Sequence, residues 1–201
     1  MQMAAGSSVF ANGGYRVNPW LISRVTDFKG KVLVETQPPL PTEAMRAIDA
    51  RNAFIMDRLL AEITRSGTAA RVYSTLKRTD LYGKTGTTND SVDTWFNGFH
   101  PHLVAVVWMG CHNPKNLGDR ETGGSMSLPV WIDFMQSAIK QLPEVTPAAP
   151  AGVVNVDGEW YFEEYAPGNG VSSLGVPLTP TEPVPAASSP SPGPARGAPV
   201  T

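Results

Sequence analysis

Gly83-Lys84-Thr85-Gly86-Thr87-Thr88-Asn89 gathers a cation, hydroxyls and glycine backbone into one short stretch. Lys84 supplies a point charge and Thr85 and Thr87 supply hydroxyl donors. Gly86 removes the Cβ that would hold a substrate backbone off the strand. Such a set can grip a carboxylate and stabilise an oxyanion, which suits acyl transfer on a peptide.

Gly-Lys-Thr also ends the phosphate-binding loop pattern, which requires another glycine five positions before Gly83. Arg78 stands there, and residues 73–80 hold no continuous apolar run for the buried parallel strand that feeds such a loop. A short Lys-Thr-Gly triplet could otherwise be a solvated turn. Its surroundings argue against that. Trp95-Phe96-Asn97-Gly98-Phe99 and the apolar run over 103–109 are β-rich and are separated by His100-Pro101-His102, so a hairpin arrives directly behind the triplet.

The elements that must position these residues can be laid out in order. A short helix ends near Asn12-Gly13-Gly14, and a hairpin of 21–26 and 31–36 turns around Asp27-Phe28-Lys29-Gly30. A helix over 52–65 follows, with Ala53, Met56, Leu60 and Ile63 on one face and Gly67 beyond its end as a C-cap. Strands are predicted over 81–87, 95–100 and 103–109, and a closing helix starts at Pro129, with Ser127 or Leu128 before it. The fold class is α+β, an antiparallel sheet flanked by helices.

With these residues in view, the chain resembles the transpeptidase domain of the class A, bifunctional penicillin-binding proteins of the 1A type. Five stretches carry the likeness in order: Val9-Phe10-Ala11-Asn12-Gly13-Gly14-Tyr15; Arg65-Ser66-Gly67-Thr68-Ala69-Ala70-Arg71; Lys84-Thr85-Gly86-Thr87-Thr88-Asn89; Asp93-Thr94-Trp95-Phe96-Asn97-Gly98-Phe99; and Gly123-Gly124-Ser125 leading to Leu128-Pro129-Val130-Trp131. They cover about residues 1–145, and Lys-Thr-Gly is one part of a three-part signature completed by Ser-x-x-Lys and Ser-x-Asn.

The resemblance implies that a serine attacks the D-alanyl-D-alanine carbonyl of a peptidoglycan stem peptide, D-alanine leaves, and an amine of a neighbouring stem resolves the acyl-enzyme. β-Lactams mimic that dipeptide. Lys84 would be the cation near the serine and the substrate carboxylate. Thr85 and Thr87 would be carboxylate-binding hydroxyls, the Thr87 N–H an oxyanion donor, and Gly86 the gap that lets the acyl chain pair with the strand. No cofactor and no metal are implied.

In that family the nucleophile and Ser-x-Asn lie N-terminal to the stretch that residues 1–15 resemble. The chain is therefore expected to be an incomplete domain whose partner is its own upstream half. Ser-x-x-Lys does occur twice, at Ser74 to Lys77 and Ser137 to Lys140. Ser74 is too near Lys84 to head the nucleophile's own helix, and Ser137 falls in the second half of the closing amphipathic helix, so both are read as surface residues, on a loop and on a helix face. Two alternatives remain open: a serine acyltransferase using Ser74 or Ser137, and a non-catalytic module that binds stem peptides. An upstream strand of the family borders the strand over 103–109. Its absence would leave a long apolar edge and a poorly soluble or partly molten chain.

Composition divides the 201 residues into a body over 1–145, a hairpin extension over 146–170 and a Pro/Ala/Ser-rich tail over 171–201. Nine of the 19 prolines lie from Pro167 to Pro199, and the tail has too little apolar surface to offset its chain entropy, so it is expected to be disordered. Asp157-Gly158 between two β-rich quartets is a strong hairpin signal, and such a hairpin should dock through Trp160 or Tyr161 and Phe162 or stay mobile. The net charge of −2 comes with no long basic stripe, which argues against a nucleic-acid partner. His102 and His112 bracket a strand and stand too far apart to share a metal, so His100, His102 and His112 are read as turn and loop residues. Cys111, alone in the chain, forms no internal disulfide. Family members sit at the periplasmic face of the cytoplasmic membrane on one N-terminal helix, yet no run here nears the roughly 18 to 20 apolar residues of a span. Neither signal peptide nor anchor is expected within this chain.

Overall fold

β4 (Asp93–His100) buries Thr94, Phe96 and Gly98 at alternate positions, the period of two that gives a strand two distinct faces. It pairs antiparallel on both sides. β3 (Tyr82–Thr87) joins in register from Tyr82↔Phe99 to Thr87↔Thr94, and β5 (Leu103–Gly110) from Asp93↔Gly110 to His100↔Leu103. The order β3-β4-β5 makes β3 and β5 the sheet edges among the described residues. This computed structural model describes residues 1–169, and the tail expected over 171–201 lies outside them.

Helices cover both faces. On the first, α3 (Arg71–Leu76) and α4 (Leu128–Ala138) bury Val72, Leu128, Trp131 and Met135 against Leu81 and Phe96. The Trp131 ring meets Phe96 edge-on at 4.9 Å, and its Nε1 donates to the Ala105 carbonyl at 3.0 Å, which satisfies the indole N–H inside the core. On the second face, α1 (Gln2–Ala11) and α2 (Ala50–Arg65) set Phe10, Ala11 and Ala61 against Tyr82, Phe99 and Val104. Phe96 and Phe99, like Leu81 and Tyr82, are an odd number of positions apart, so each strand feeds both cores.

α2 starts at Ala50, where Asp49 caps it by accepting from the Arg51 N–H at 2.8 Å. Its buried face is rotated from the one expected: Ala53, Phe54, Ala61 and Thr64 are inside, while Met56 is exposed. Two long-range contacts set this rotation. Thr64 Oγ1 donates to the Leu81 carbonyl at 2.6 Å, and Phe54 packs against Trp160. Gly67 is not a left-handed cap; a Cβ there would lie 2.9 Å from Ile63 Cα, so it permits close approach instead. α3 replaces the loop expected around Ser74 and stops at Lys77, whose φ is 55°.

The first hairpin is shorter than expected, β1 (Arg24–Thr26) with β2 (Val32–Glu35), and both strands are exposed. A one-turn π-helix over Gly123–Ser127, closed by a Thr122–Ser125 capping box, leads into α4. β6 (Val153–Val156) and β7 (Glu159–Phe162) turn through Asp157 (φ 53°) and Gly158 (φ 92°), the paired left-handed residues of a primed turn. This hairpin docks on α2. Trp160 lies edge-on to Phe54 at 4.9 Å, the Arg51 guanidinium sits 4.7 Å from the Phe162 ring, and Arg51 Nη1 reaches Glu164 Oε1 at 2.8 Å.

Candidate active site

β3 is clamped at its N-terminal end by a buried polar cluster. Arg78 grips the Asp80 carboxylate with two bonds, Nε to Oδ1 at 2.8 Å and Nη2 to Oδ2 at 2.6 Å, while Asp80 Oδ2 also accepts from the Val145 N–H at 2.9 Å. His100 is fully buried, with Nε2 3.0 Å from Asp80 Oδ2 and Nδ1 accepting from the His102 N–H at 3.1 Å. That arrangement fixes the ring proton on Nε2. Burial opposes ionisation of Asp80, yet the Arg78 guanidinium and the Val145 N–H outweigh it and hold the carboxyl below its ordinary range. Burial likewise pulls His100 below its ordinary value, with Asp80 opposing. His100 is thus a structural core histidine at the end of β4 and not the turn residue the sequence suggested. Arg78 also donates to the Leu142 and Pro143 carbonyls at 2.8 and 2.9 Å, tying the chain after α4 to the base of β3.

From that base β3 runs out along a free edge. Thr88 N–H donates to the Asp93 carbonyl at 3.0 Å, and antiparallel ladders alternate, so the N–H groups of Gly86 and Lys84 face β4. Those of Thr85 and Thr87 face outward. The side chains alternate as well: Lys84 shares a face with Tyr82, while Thr85 and Thr87 lie on the α4 face. Lys84 curls over the edge, its Nζ donating to the Thr85 carbonyl at 2.8 Å and to Thr85 Oγ1 at 3.3 Å. Thr85 Oγ1 lies 3.2 Å from Thr68 Oγ1. Lys84 is exposed, not sunk in a desolvated groove.

The Gly123 turn supports the outer half of the strand. Gly123 N–H donates to Thr87 Oγ1 at 3.0 Å, which leaves the hydroxyl proton of Thr87 free to donate. A Cβ on Gly123 would fall 2.4 Å from the Trp95 carbonyl oxygen and 2.7 Å from that of Gly86, so only glycine lets the turn press on the ladder.

The structure therefore brings Lys84, Thr85, Gly86 and Thr87 together on one accessible edge and adds Thr68, which the sequence reading left without a role. Thr68 lies within the Arg65–Arg71 stretch; its polar side chain before two alanines was the only local signal. The two candidate serines do not join this edge. Ser74 is exposed on α3 and donates to the Arg71 carbonyl at 3.1 Å, while Lys77 Nζ lies 6.0 Å from the Tyr73 ring. Ser137 is exposed on α4. Among the described residues no cluster of three or more His, Cys, Asp or Glu could hold a metal, and no helix is long and apolar enough to cross a membrane.

An antiparallel sheet between two helical layers, with Lys-Thr-Gly on its free edge under a Gly-Gly turn, defines a class, and the chain belongs to it: residues 1–136 match the family described as "Penicillin binding protein transpeptidase domain". The curated relatives it resembles are penicillin-binding proteins 1A. The chain is 43% identical over 166 residues to that of Neisseria lactamica, covering 82% of this chain and 21% of the relative. To that of Pseudomonas aeruginosa it is 39% identical over 202 residues, covering 78% of this chain and 24% of the relative. The chain thus spans about a fifth to a quarter of these relatives' length. Among solved structures, penicillin-binding protein 1A from Haemophilus influenzae superposes with a TM-score of 0.73 at 27% identity, over 80% of this chain and 31% of that one. The D,D-transpeptidase domain of a peptidoglycan glycosyltransferase from Eggerthella lenta shares the fold, at TM-score 0.52, 24% identity, 71% of this chain and 32% of that one.

Proposed function

We propose that this chain supplies the Lys-Thr-Gly strand of a serine-type D,D-transpeptidase that cross-links peptidoglycan stem peptides, with the attacking serine provided by sequence upstream of it. The reading rests on one observation above others: Lys84 Nζ, Thr85 Oγ1 and Thr68 Oγ1 converge on the free edge of β3, whose Thr85 and Thr87 N–H groups point outward.

A stem peptide ending in D-Ala-D-Ala lies along that edge with its backbone against Gly86. Its terminal carboxylate is held by the Lys84 charge and the Thr85 and Thr87 hydroxyls. Serine Oγ attacks the penultimate carbonyl carbon, the developing oxyanion receives the Thr87 N–H, and the C–N bond breaks as D-alanine departs with the proton. An amine of a second stem then attacks the ester, forms the cross-link and returns the serine. β-Lactams acylate the same serine. In this scheme residues 1–145 form the C-terminal part of the catalytic domain and the β6–β7 extension braces it. The working site lies at the periplasmic face of the membrane.

The test uses the 201-residue chain. After incubation with a β-lactam, intact-mass spectrometry shows no covalent adduct, whereas one adduct would place the nucleophile inside the chain, at Ser74 or Ser137. A peptide ending in D-Ala-D-Ala shifts the Thr85 and Thr87 amide resonances, and Lys84→Ala removes the shifts. Identical shifts in the variant would overturn the assignment of the carboxylate to Lys84.

A further inference from the structure

Thr94 Oγ1 and Ser127 Oγ lie 2.8 Å apart, and both residues are wholly buried. A buried pair of hydroxyls adds little net stability over two apolar groups of the same shape, but it fixes direction. Thr94 is the cross-strand partner of Thr87, so the two side chains stand side by side on one face of the sheet. Ser127 ends the π-helical turn whose first residue, Gly123, donates its N–H to Thr87 Oγ1 at 3.0 Å. The turn therefore grips one cross-strand pair at both of its ends, Ser127 on Thr94 in the core and Gly123 on Thr87 at the edge.

Its own bonds leave the turn little freedom between those two points. Thr122 Oγ1 accepts from the Ser125 N–H at 3.2 Å, and Ser125 Oγ accepts from the Thr122 N–H at 2.8 Å. The Gly123 carbonyl accepts from the N–H of Leu128, which is buried where α4 begins. The Gly123 N–H is thus held in a fixed direction, and that direction limits what Thr87 can do. A threonine hydroxyl has one proton and two lone pairs. Gly123 occupies a lone pair, and among the described residues no group accepts the proton. A carboxylate accepts at both oxygens, whereas a carboxamide accepts at one and presents N–H donors at the other. A hydroxyl free to swivel serves either group; one with a lone pair already taken serves the acid better.

We propose that Ser127 and Thr94 are positioning residues for the β3 edge: by pinning the Gly123 turn they hold the Thr87 hydroxyl as a donor, and so sharpen the preference for a terminal carboxylate over a terminal carboxamide. Neither residue touches the substrate. The inference rests on the stem-peptide reading of that edge and adds to it the device that sets its selectivity.

The test compares a peptide ending in D-Ala-D-Ala with its C-terminal carboxamide, each titrated into the 201-residue chain and followed at the Thr85 and Thr87 amide resonances. Thr94→Val combined with Ser127→Ala removes both hydroxyls together, so no buried hydroxyl is left unpaired and the melting temperature stays near that of the parent. In this double variant affinity for the acid is expected to fall about fivefold to tenfold and that for the carboxamide by less than about twofold, while the Gly123 amide exchanges its hydrogen faster. Thr94→Ser, which keeps the hydroxyl, retains the preference. A double variant with the parent's preference, an equal loss for both peptides, or an unchanged Gly123 exchange rate overturns the proposal. A parent that binds neither peptide overturns the stem-peptide reading and this inference with it, a result distinct from a parent and a variant that prefer the acid equally. Should the double variant fail to fold, Thr122→Val, at an exposed position, removes the acceptor of the Ser125 N–H and carries the same expectations.

Discussion

Gly123 and Thr87 illustrate how the β3 edge is held at the level of single residues. The turn carrying Gly123 rests directly on the Gly86–Trp95 pair, and its N–H occupies one lone pair of the Thr87 hydroxyl. Gly123→Ala places a methyl against two backbone oxygens, neither of which can move without breaking ladder bonds. We expect a loss of about 2 to 3 kcal/mol, read as a lower denaturant midpoint at unchanged slope. A variant as stable as the parent would show that the turn can lift off the sheet freely. Asp80 and His100 act at the same scale but for stability, since both are buried and paired with each other, Asp80 also with Arg78.

At the level of elements, α3 is a six-residue helix that local sequence favours weakly. It persists because Val72 is wholly buried under α4 and because Lys77 accepts a left-handed conformation, its N–H closing on the Tyr73 carbonyl at 3.0 Å. A side chain with a Cβ is strained there, and glycine is not. Lys77→Gly should therefore raise stability by roughly 0.5 to 1 kcal/mol in equilibrium unfolding, and a destabilised variant would mean that the Lys77 stem over Tyr73 contributes more than the strain costs. The β6–β7 hairpin shows the complementary case. Two four-residue strands are too small to be stable alone, so their order derives from Trp160 on Phe54 and the Arg51 contacts.

For the molecule as a whole, two features decide behaviour in solution. β5 is an edge of the sheet among the described residues, and its sequence is apolar from Leu103 to Met109 with Trp108 48% exposed. Such an edge is a template for pairing with another chain. The 201-residue chain is expected to self-associate in sedimentation velocity, and Trp108→Lys, which keeps a donor for Asp93, to shift it towards monomer. A sharp monomer boundary in the parent would sink this expectation. The second feature is pH. Asp80 and His100 both titrate below their ordinary values when folded, so each adds stability that is present above the unfolded pKa and lost on acidification. Asp57 acts in the opposite sense: raised from 3.8 to about 7, it gives stability that is present in acid and lost as pH rises through that window. Asp57→Asn removes the opposing contribution, so its melting temperature should fall more steeply between pH 7 and 4 than that of the parent. An equal or shallower slope would show that Asp57 titrates normally.

The local sequence determined the elements that carry the site, because period, caps and turn chemistry act over a few residues: the three strands, the Asp157-Gly158 turn, the Pro129 helix start and the convergence of Lys84, Thr85, Gly86 and Thr87 on one strand could all be read from it, whereas α3 could not. Tertiary structure decided everything that depends on contacts across the sheet. Hydrophobic spacing alone put Met56 on the buried face of α2, whereas the Thr64 bond to Leu81 and the docking of Trp160 turned Phe54 inward in its place. His100 looked like a turn residue until β4 carried it into contact with Asp80, and Thr68 had no visible task until the end of α2 set it beside Thr85. The orphaned oxygen of Asp57 has the same origin. A carboxylate on a helix is ordinary in sequence, and only the packing around α2 buries its Oδ1 away from any partner among the described residues.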